Sequence, residues 1–392
     1  MKGEIDLLMK IWVIGKAIPN AKNSFLGNFE LEQARMLQKH GEDVVYIAND
    51  FRPINSIRRF GLHKVNLTDI KAYEASLPIR GFNNSLCINK LEPYICKNLY
   101  RKIEEAEGGI PDIIHVHFPS LINFGIHEYY QKRGVKIVAT EHYTQVMNKK
   151  LSEPWLSNLS WYAHNANAVL SVSDILLDSL KEIAGVPQKS FVVPNVITPD
   201  FYYKMRKNKS DCFTFIAISR LVKVKRVEEI IRAFIQLEKE LNTDLKLKIV
   251  GGGKLRTKLQ EDVNKLGLDK KVKILGPLLP ERVAEEIRSS DAYISACQLE
   301  TFCVTIAEAM GCGKPVIADE SAGAAPYIND SNGIKASLNT VNDIVAAMKS
   351  LYMRRETYDP KKISEYAQQN FSEDSVYYQL KGIYREIIEP NG

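Results

Sequence analysis

No Cys-x-x-Cys pair occurs among the six cysteines, and none of Cys87, Cys96, Cys212, Cys297, Cys303 and Cys312 stands at zinc-finger spacing with histidines nearby. This argues against a zinc module and a dithiol redox centre, and the expectation is buried thiols in a reducing compartment. No stretch of about 20 apolar residues is present, so no segment reads as a membrane-spanning helix. The start, Met1-Lys2-Gly3-Glu4-Ile5-Asp6, carries acidic residues and lacks the apolar run of a signal peptide. The expected location is cytoplasmic, with peripheral contact at the inner face of the cell membrane left open. Charge of one sign is also scarce. The 53 Lys+Arg and 47 Asp+Glu leave a net +6 spread over both halves. A nucleic-acid face would concentrate that excess, so no nucleic-acid partner is expected. Attraction to anionic phosphates or a lipid surface remains compatible.

What is present is a chain of 392 residues, 45% hydrophobic and 26% charged, with no biased tract. Its length suits two α/β domains of roughly 180 residues each. Short β-branched runs alternate with amphipathic segments, the pattern of βαβ units and a parallel sheet. Strands are expected at residues 10–15, 43–48, 112–117, 135–140, 168–172 and 191–193, then at 213–219, 246–251, 272–275, 292–296 and 315–318. Several are apolar on both faces, as enclosed parallel strands are. Residues 198–211 are polar, contain Pro199 and a basic run, and read as a linker. The expected organisation is thus a first α/β domain over 1–197, the linker, and a second over 212–372. A terminal helix over 373–392 has Val376, Leu380, Ile383, Tyr384, Ile387 and Ile388 on one face, and such a stripe must dock. The fold class is α/β, with two doubly wound domains. Ligands of such sheets bind beyond the carboxyl ends of the strands, so a ligand is expected in a cleft between domains that face each other.

The strongest local signal runs Glu300-Thr301-Phe302-Cys303-Val304-Thr305-Ile306-Ala307-Glu308, between an expected strand and a helix. Eight residues of helix rise about 12 Å, beyond the ~5–9.5 Å that separates two carboxylates acting on one bond. The pair therefore suits recognition of two distant parts of one elongated ligand. Read alone, Glu300 as a helix cap and Glu308 as a solvated residue fit equally. Ser219-Arg220-Leu221-Val222-Lys223-Val224-Lys225-Arg226 places four cations at a strand-to-helix turn, a setting that favours phosphate, although an ordinary charged loop looks the same. In Val250-Gly251-Gly252-Gly253-Lys254-Leu255-Arg256, Gly251 and Gly253 would let the backbone approach a ligand closely. The third glycine of a dinucleotide fingerprint would fall at Arg256, which argues against an NAD enzyme. Gly27 precedes a helix and suits either a diphosphate or a simple turn. His142 follows a strand directly, as structural histidines also do. His115 and His117 alternate on one strand face without a third ligand at suitable spacing, so no metal is expected.

Taken in order, these segments resemble the family-4 retaining glycosyltransferases of GT-B architecture, over nearly the whole chain. The most specific part is Glu-x7-Glu at Glu300 and Glu308. Residues 219–226 are similar to the family's Gly-Arg-Leu-x-x-x-Lys-Gly, and residues 249–256 to Ile-Val-Gly-x-Gly-x-x-Arg. Val193-Pro194-Asn195-Val196 is similar to Pro-Asn-Gly-Val, with Ser171-Val172-Ser173 before it. Pro19, Asn23, Gly27, Phe29, Gln33, Ala34 and Leu37 resemble the amino end of members that build bacterial surface polysaccharides.

The resemblance implies transfer of a hexosyl unit from a UDP- or GDP-linked donor to a glycan or lipid-linked acceptor, without metal or another cofactor. Arg220 and Lys225 would hold the diphosphate. Gly251 and Gly253 are counted with the expected donor-binding residues. Glu308 would accept from the ribose hydroxyls and Glu300 from those of the sugar. Backbone amides of Phe302, Cys303 and Val304 would lie near sugar and phosphates. His142 would lie beside the reacting sugar, and Gly27 near diphosphate or acceptor. Attack would come from the front face, with the leaving phosphate taking the acceptor's proton and no enzyme nucleophile. Three departures stand out: Arg226 in place of the family's glycine, Gly27-Asn28 in place of a glycine pair, and Ile197 after Val196. Two other classes of function fit the same motifs, a nucleotide-sugar epimerase and a catalytically silent nucleotide-sugar-binding partner.

Overall fold

The computed structural model describes residues 8–19, 27–50, 61–76, 85–205 and 212–389. The expected turn residues 23–26, residues 206–211 of the expected linker and residues 390–392 lie outside them. The chain divides into two compact units. The first joins Met1–Val196 to Val376–Gly392, and the second is Ile197–Ser375. At the expected linker, Pro199–Phe201 forms a short 3-10 turn with Phe201 buried, and it belongs to the second unit.

The strands of the first unit are β1 (Lys10–Gly15), β2 (Asp43–Asp50), β3 (Gly61–Asn66), β4 (Lys71–Ser76), β5 (Ile113–His117), β6 (Lys136–Glu141), β7 (Ala168–Ser171) and β8 (Ser190–Val192). They form one sheet in the order β3-β4-β2-β1-β5-β6-β7-β8. All neighbours are parallel except the edge pair β3 and β4. The central strands are buried along almost their whole length, which is why they read as continuous apolar runs. β3 (Gly-Leu-His-Lys-Val-Asn) and β4 (Lys-Ala-Tyr-Glu-Ala-Ser) have no such run. Their place at the sheet edge tolerates polar residues, and the sequence pattern does not announce them. The chain leaves β1 in one direction and returns to its other side at β5, so the strand order reverses between these two.

The terminal helix, Glu373–Ile388, buries Val376, Tyr377, Leu380, Ile383, Tyr384 and Ile387. They share one core cluster with Met9, Ile11, Val13, Leu37, Val44 and Tyr46. Two buried hydrogen bonds fix the register: the Tyr384 hydroxyl with His115 Nδ1 at 2.6 Å, and the Tyr377 hydroxyl donating to Glu42 Oε1 at 2.9 Å.

The second unit holds β9 (Phe213–Ile218), β10 (Leu245–Val250), β11 (Val272–Gly276), β12 (Ala292–Ser295), β13 (Val316–Asp319) and β14 (Gly333–Ala336), in the order β11-β10-β9-β12-β13-β14. All pairs are parallel. Numbered within the unit this is 3-2-1-4-5-6, the order of dinucleotide-binding sheets, with its switch point between β9 and β12. β14 is a four-residue edge strand with one exposed lysine, too short to stand out in the sequence. Helix Val227–Leu241 buries Val227, Ile230, Ile231, Ala233, Phe234 and Leu237, the expected stripe at helical spacing.

Candidate active site

At the switch point of the second sheet, β9 runs out into Ser219 and Arg220, and β12 runs out toward Glu300. The two loops meet through an ion pair between Lys225 Nζ and Glu300 Oε1, whose side chains are only 12% and 18% exposed. Burial acts to lower the Lys225 pKa. The charge and hydrogen bond of Glu300 outweigh it, and the ammonium is held above its ordinary value. Glu300 caps no helix: the following helix starts at Val304 after Cys303, with no side-chain cap. Its backbone carbonyl accepts from Gly323 N–H at 3.0 Å, which anchors the loop.

The four cations of the β9 loop have separated tasks. Arg220 and Lys223 are exposed. Arg226 takes a left-handed backbone, φ 53°, where a glycine would sit without strain. Its guanidinium donates to the carbonyls of Ala296, Leu338 and Asn339. That residue therefore braces the loops after β12 and β14 and is not available as an extra phosphate cation.

Gly251 and Gly253 both have positive φ, 136° and 151°. A Cβ at Gly251 would strike the Ser219 carbonyl, and one at Gly253 would strike Leu221. The close approach that these glycines allow is thus between neighbouring loops. Leu221 N–H donates to Gly252 O at 2.8 Å and Leu255 N–H to Leu221 O at 3.0 Å.

Phe302 is buried and packs edge-on against Phe371 at 5.6 Å between ring centroids. Cys303, φ 72°, turns the chain into helix Val304–Gly311. The Tyr293 hydroxyl of β12 shares a 2.6 Å hydrogen bond with Thr305, tying strand to helix. The amides of Val304 and Thr305 lie in the first helical turn, where N–H groups have no intrahelical acceptor. Glu308 follows one turn later. Burial raises its pKa from 4.5 to about 7, and among the described residues no cation pairs with it.

The first unit assembles a second group of polar residues, also at strand carboxyl ends. His142 directly follows β6. Its Nε2 shares a 2.9 Å hydrogen bond with His117 Nδ1. Burial first, then the positive charge of Lys16, lowers the His142 pKa to about 3, so the imidazole is neutral at physiological pH. Lys16 Nζ lies 3.2 Å from the centroid of the Phe118 ring. Glu141 accepts from the N–H groups of Ser120, His142 and Tyr143, which fixes the loop carrying His142. No motif in the sequence marks Lys16, Phe118 or Glu141, since each is placed by sheet register. Both ring nitrogens of His115 are engaged, by Tyr384 and Thr140. Gly27, φ 81°, precedes helix Asn28–Lys39 and lies against the Ala17 carbonyl. Among the described residues, no group of three or more His, Cys, Asp or Glu could hold a metal ion, and no helix is long and apolar enough to cross a membrane.

Residues 203–370 match the family model of glycosyl transferases group 1, and residues 27–201 match that of glycosyltransferase family 4. N-acetyl-alpha-D-glucosaminyl L-malate synthase of Bacillus anthracis is 25% identical over 375 residues, covering 91% of this chain and 92% of that protein. Poly(glycerol-phosphate) alpha-glucosyltransferase of Bacillus subtilis is 26% identical over 206 residues, 52% of this chain and 30% of that one. In fold, the chain resembles sucrose-phosphate synthase of Thermosynechococcus elongatus, with a TM-score of 0.75 at 16% identity, covering 98% and 100% of the two chains. It also resembles Anabaena HepE in complex with UDP, with a TM-score of 0.72 at 17% identity, covering 95% and 99%. With both family models matched in series and the sheet order of the second unit found as described, the chain belongs to the family-4 glycosyltransferases and is a transferase enzyme of GT-B type.

Proposed function

We propose that the protein transfers a hexosyl unit from a UDP- or GDP-linked donor to a hydroxyl of a glycan or lipid-linked acceptor, with retention at the anomeric carbon. Synthesis of a surface polysaccharide is the proposed setting. The single observation that carries the donor reading is the convergence of Lys225, Glu300 and the first turn of helix Val304–Gly311 at the switch point of the second sheet.

In this reading Arg220 and Lys225 neutralise the diphosphate and stabilise the leaving nucleotide. The amides from Phe302 to Val304 support the phosphates and the sugar. Glu308 accepts from the ribose hydroxyls and Glu300 from those of the sugar. Gly251 and Gly253 hold the adjoining loops in place. The first unit is assigned the acceptor, with His142 and Gly27 at the carboxyl ends of its strands. The two cations take the place of a metal ion. The acceptor hydroxyl attacks the anomeric carbon as the bond to the phosphate oxygen breaks, and that departing oxygen takes the proton.

UDP is the first nucleotide to try, because the similar Anabaena HepE was solved with it. L-Malate belongs among the acceptors because of the name of the Bacillus anthracis relative. The test is a metal-free thermal-shift panel of UDP, GDP, ADP and CMP with their common sugars, followed by nucleotide release with and without acceptor. A selective shift and acceptor-dependent release are expected, and both should survive a chelator. Nucleotide binding without turnover would favour the silent-partner reading instead. Glu308→Ala should weaken nucleotide binding by about 1–3 kcal/mol, and unchanged affinity would remove the ribose assignment.

A further inference from the structure

We infer that Glu300 makes the donor site selective for a nucleotide that still carries its sugar over the spent nucleotide, by competing with the diphosphate for Lys225. This rests on the donor reading above and adds a competition internal to that site.

The starting point is that Lys225 already has a counter-ion. Its ammonium and the Glu300 carboxylate are in direct contact and largely withdrawn from water. The thiols nearby do not share that task, because burial raises the pKa values of Cys297 and Cys303, the latter to about 12, and keeps both neutral. Arg226 cannot substitute for Lys225, since three carbonyls hold its guanidinium. Arg220 is exposed, and among the described residues no carboxylate pairs with it. Of the two cations assigned to the diphosphate, Arg220 is thus without a carboxylate partner among the described residues and Lys225 is occupied.

To use Lys225, the incoming anion must draw it from Glu300. The carboxylate is then left partly desolvated beside a second anion, which costs free energy unless new donors reach it. A nucleoside diphosphate brings no such donors. A nucleotide-sugar brings the hydroxyls of its sugar, which donate to the carboxylate and replace the lysine. The gain from Lys225 is thus realised with the intact donor and largely cancelled with the product. The same competition weakens the hold on the nucleotide once the sugar has left.

The test is a double-mutant cycle read by equilibrium binding, with wild type, Glu300→Gln, Lys225→Ala and the double variant. Each is titrated with whichever of UDP, GDP and ADP binds wild type, and with its glucose or N-acetylglucosamine conjugate. Glu300→Gln should bind the bare nucleotide about threefold or more tighter than wild type while binding the conjugate no tighter, so the preference for the conjugate falls. Lys225→Ala should cost bare-nucleotide affinity less than about threefold alone, but about tenfold in the Glu300→Gln background. Equal or weaker binding of the bare nucleotide by Glu300→Gln, or an equal cost of Lys225→Ala in both backgrounds, would overturn the inference. Glu300→Ala, checked for the wild-type unfolding midpoint, repeats the comparison if the glutamine variant is unstable. If wild type binds no nucleotide, the donor reading fails first and this inference falls with it, a result distinct from any change among variants.

Discussion

The side chain of Glu308 is half-buried without a pairing cation among the described residues, and burial pushes its pKa from 4.5 to about 7. Two opposite pH effects follow. Because the folded state binds this proton more tightly than the unfolded one, the contribution to stability is full below about pH 4.5. It is lost as pH rises through about 7. Nucleotide binding depends on the other form, since a carboxylate accepts hydrogen bonds from two hydroxyls better than the neutral acid does. Nucleotide affinity should therefore rise with pH from 6 to 8 in the wild type and become flat in Glu308→Gln, measured by titration calorimetry at fixed ionic strength. The same dependence in both proteins would show that another group titrates. Glu300 lies in the same sequence motif but is defined by its contact with Lys225. Spacing alone distinguishes neither the ion pair of one glutamate nor the raised pKa of the other.

Among the elements, helix Glu373–Ile388 is separated from the rest of its unit by the entire second unit, yet six of its buried residues, all apolar or aromatic, complete the first core. Tyr384→Phe removes one partner of buried His115 and should lower stability by about 1–3 kcal/mol. Leu380→Ala leaves a cavity in the same cluster and should cost about 2–5 kcal/mol. Chemical unfolding checks both, and the affinity for nucleotide is expected to stay at the wild-type value in each. A loss of nucleotide affinity matching the loss of stability would mean that the donor residues depend on this core. The helix is legible in the sequence because its apolar stripe is complete. Its docking partner is not, because a stripe specifies burial and not the surface that supplies it.

For the whole molecule, the seven histidines all lie in the first unit. Burial lowers the pKa values of His115, His127 and His142 to about 3. An unfolded chain takes up these protons near the ordinary pKa of 6.5, so the stability they lend is present above that pH and is lost as pH falls toward 3. Calorimetry or hydrogen exchange resolved by unit should show the first unit weakening between pH 7 and 5 while the second, with its raised Glu308, holds. Equal weakening of both would contradict the assignment to the histidines. At this scale the sequence by itself determined the alternation of strands and helices, the existence of two α/β units and the order of the motifs. Local periodicity and turn chemistry act over a few residues and are written in neighbouring positions. Tertiary structure alone decided that Lys225 meets Glu300, that Arg226 braces carbonyls, that the glycines pack loop against loop, and that His142 stands on His117 beside Lys16. Each of these depends on sheet register and on residues brought together from distant parts of the chain, where burial and charge are set by neighbours that the linear order does not name.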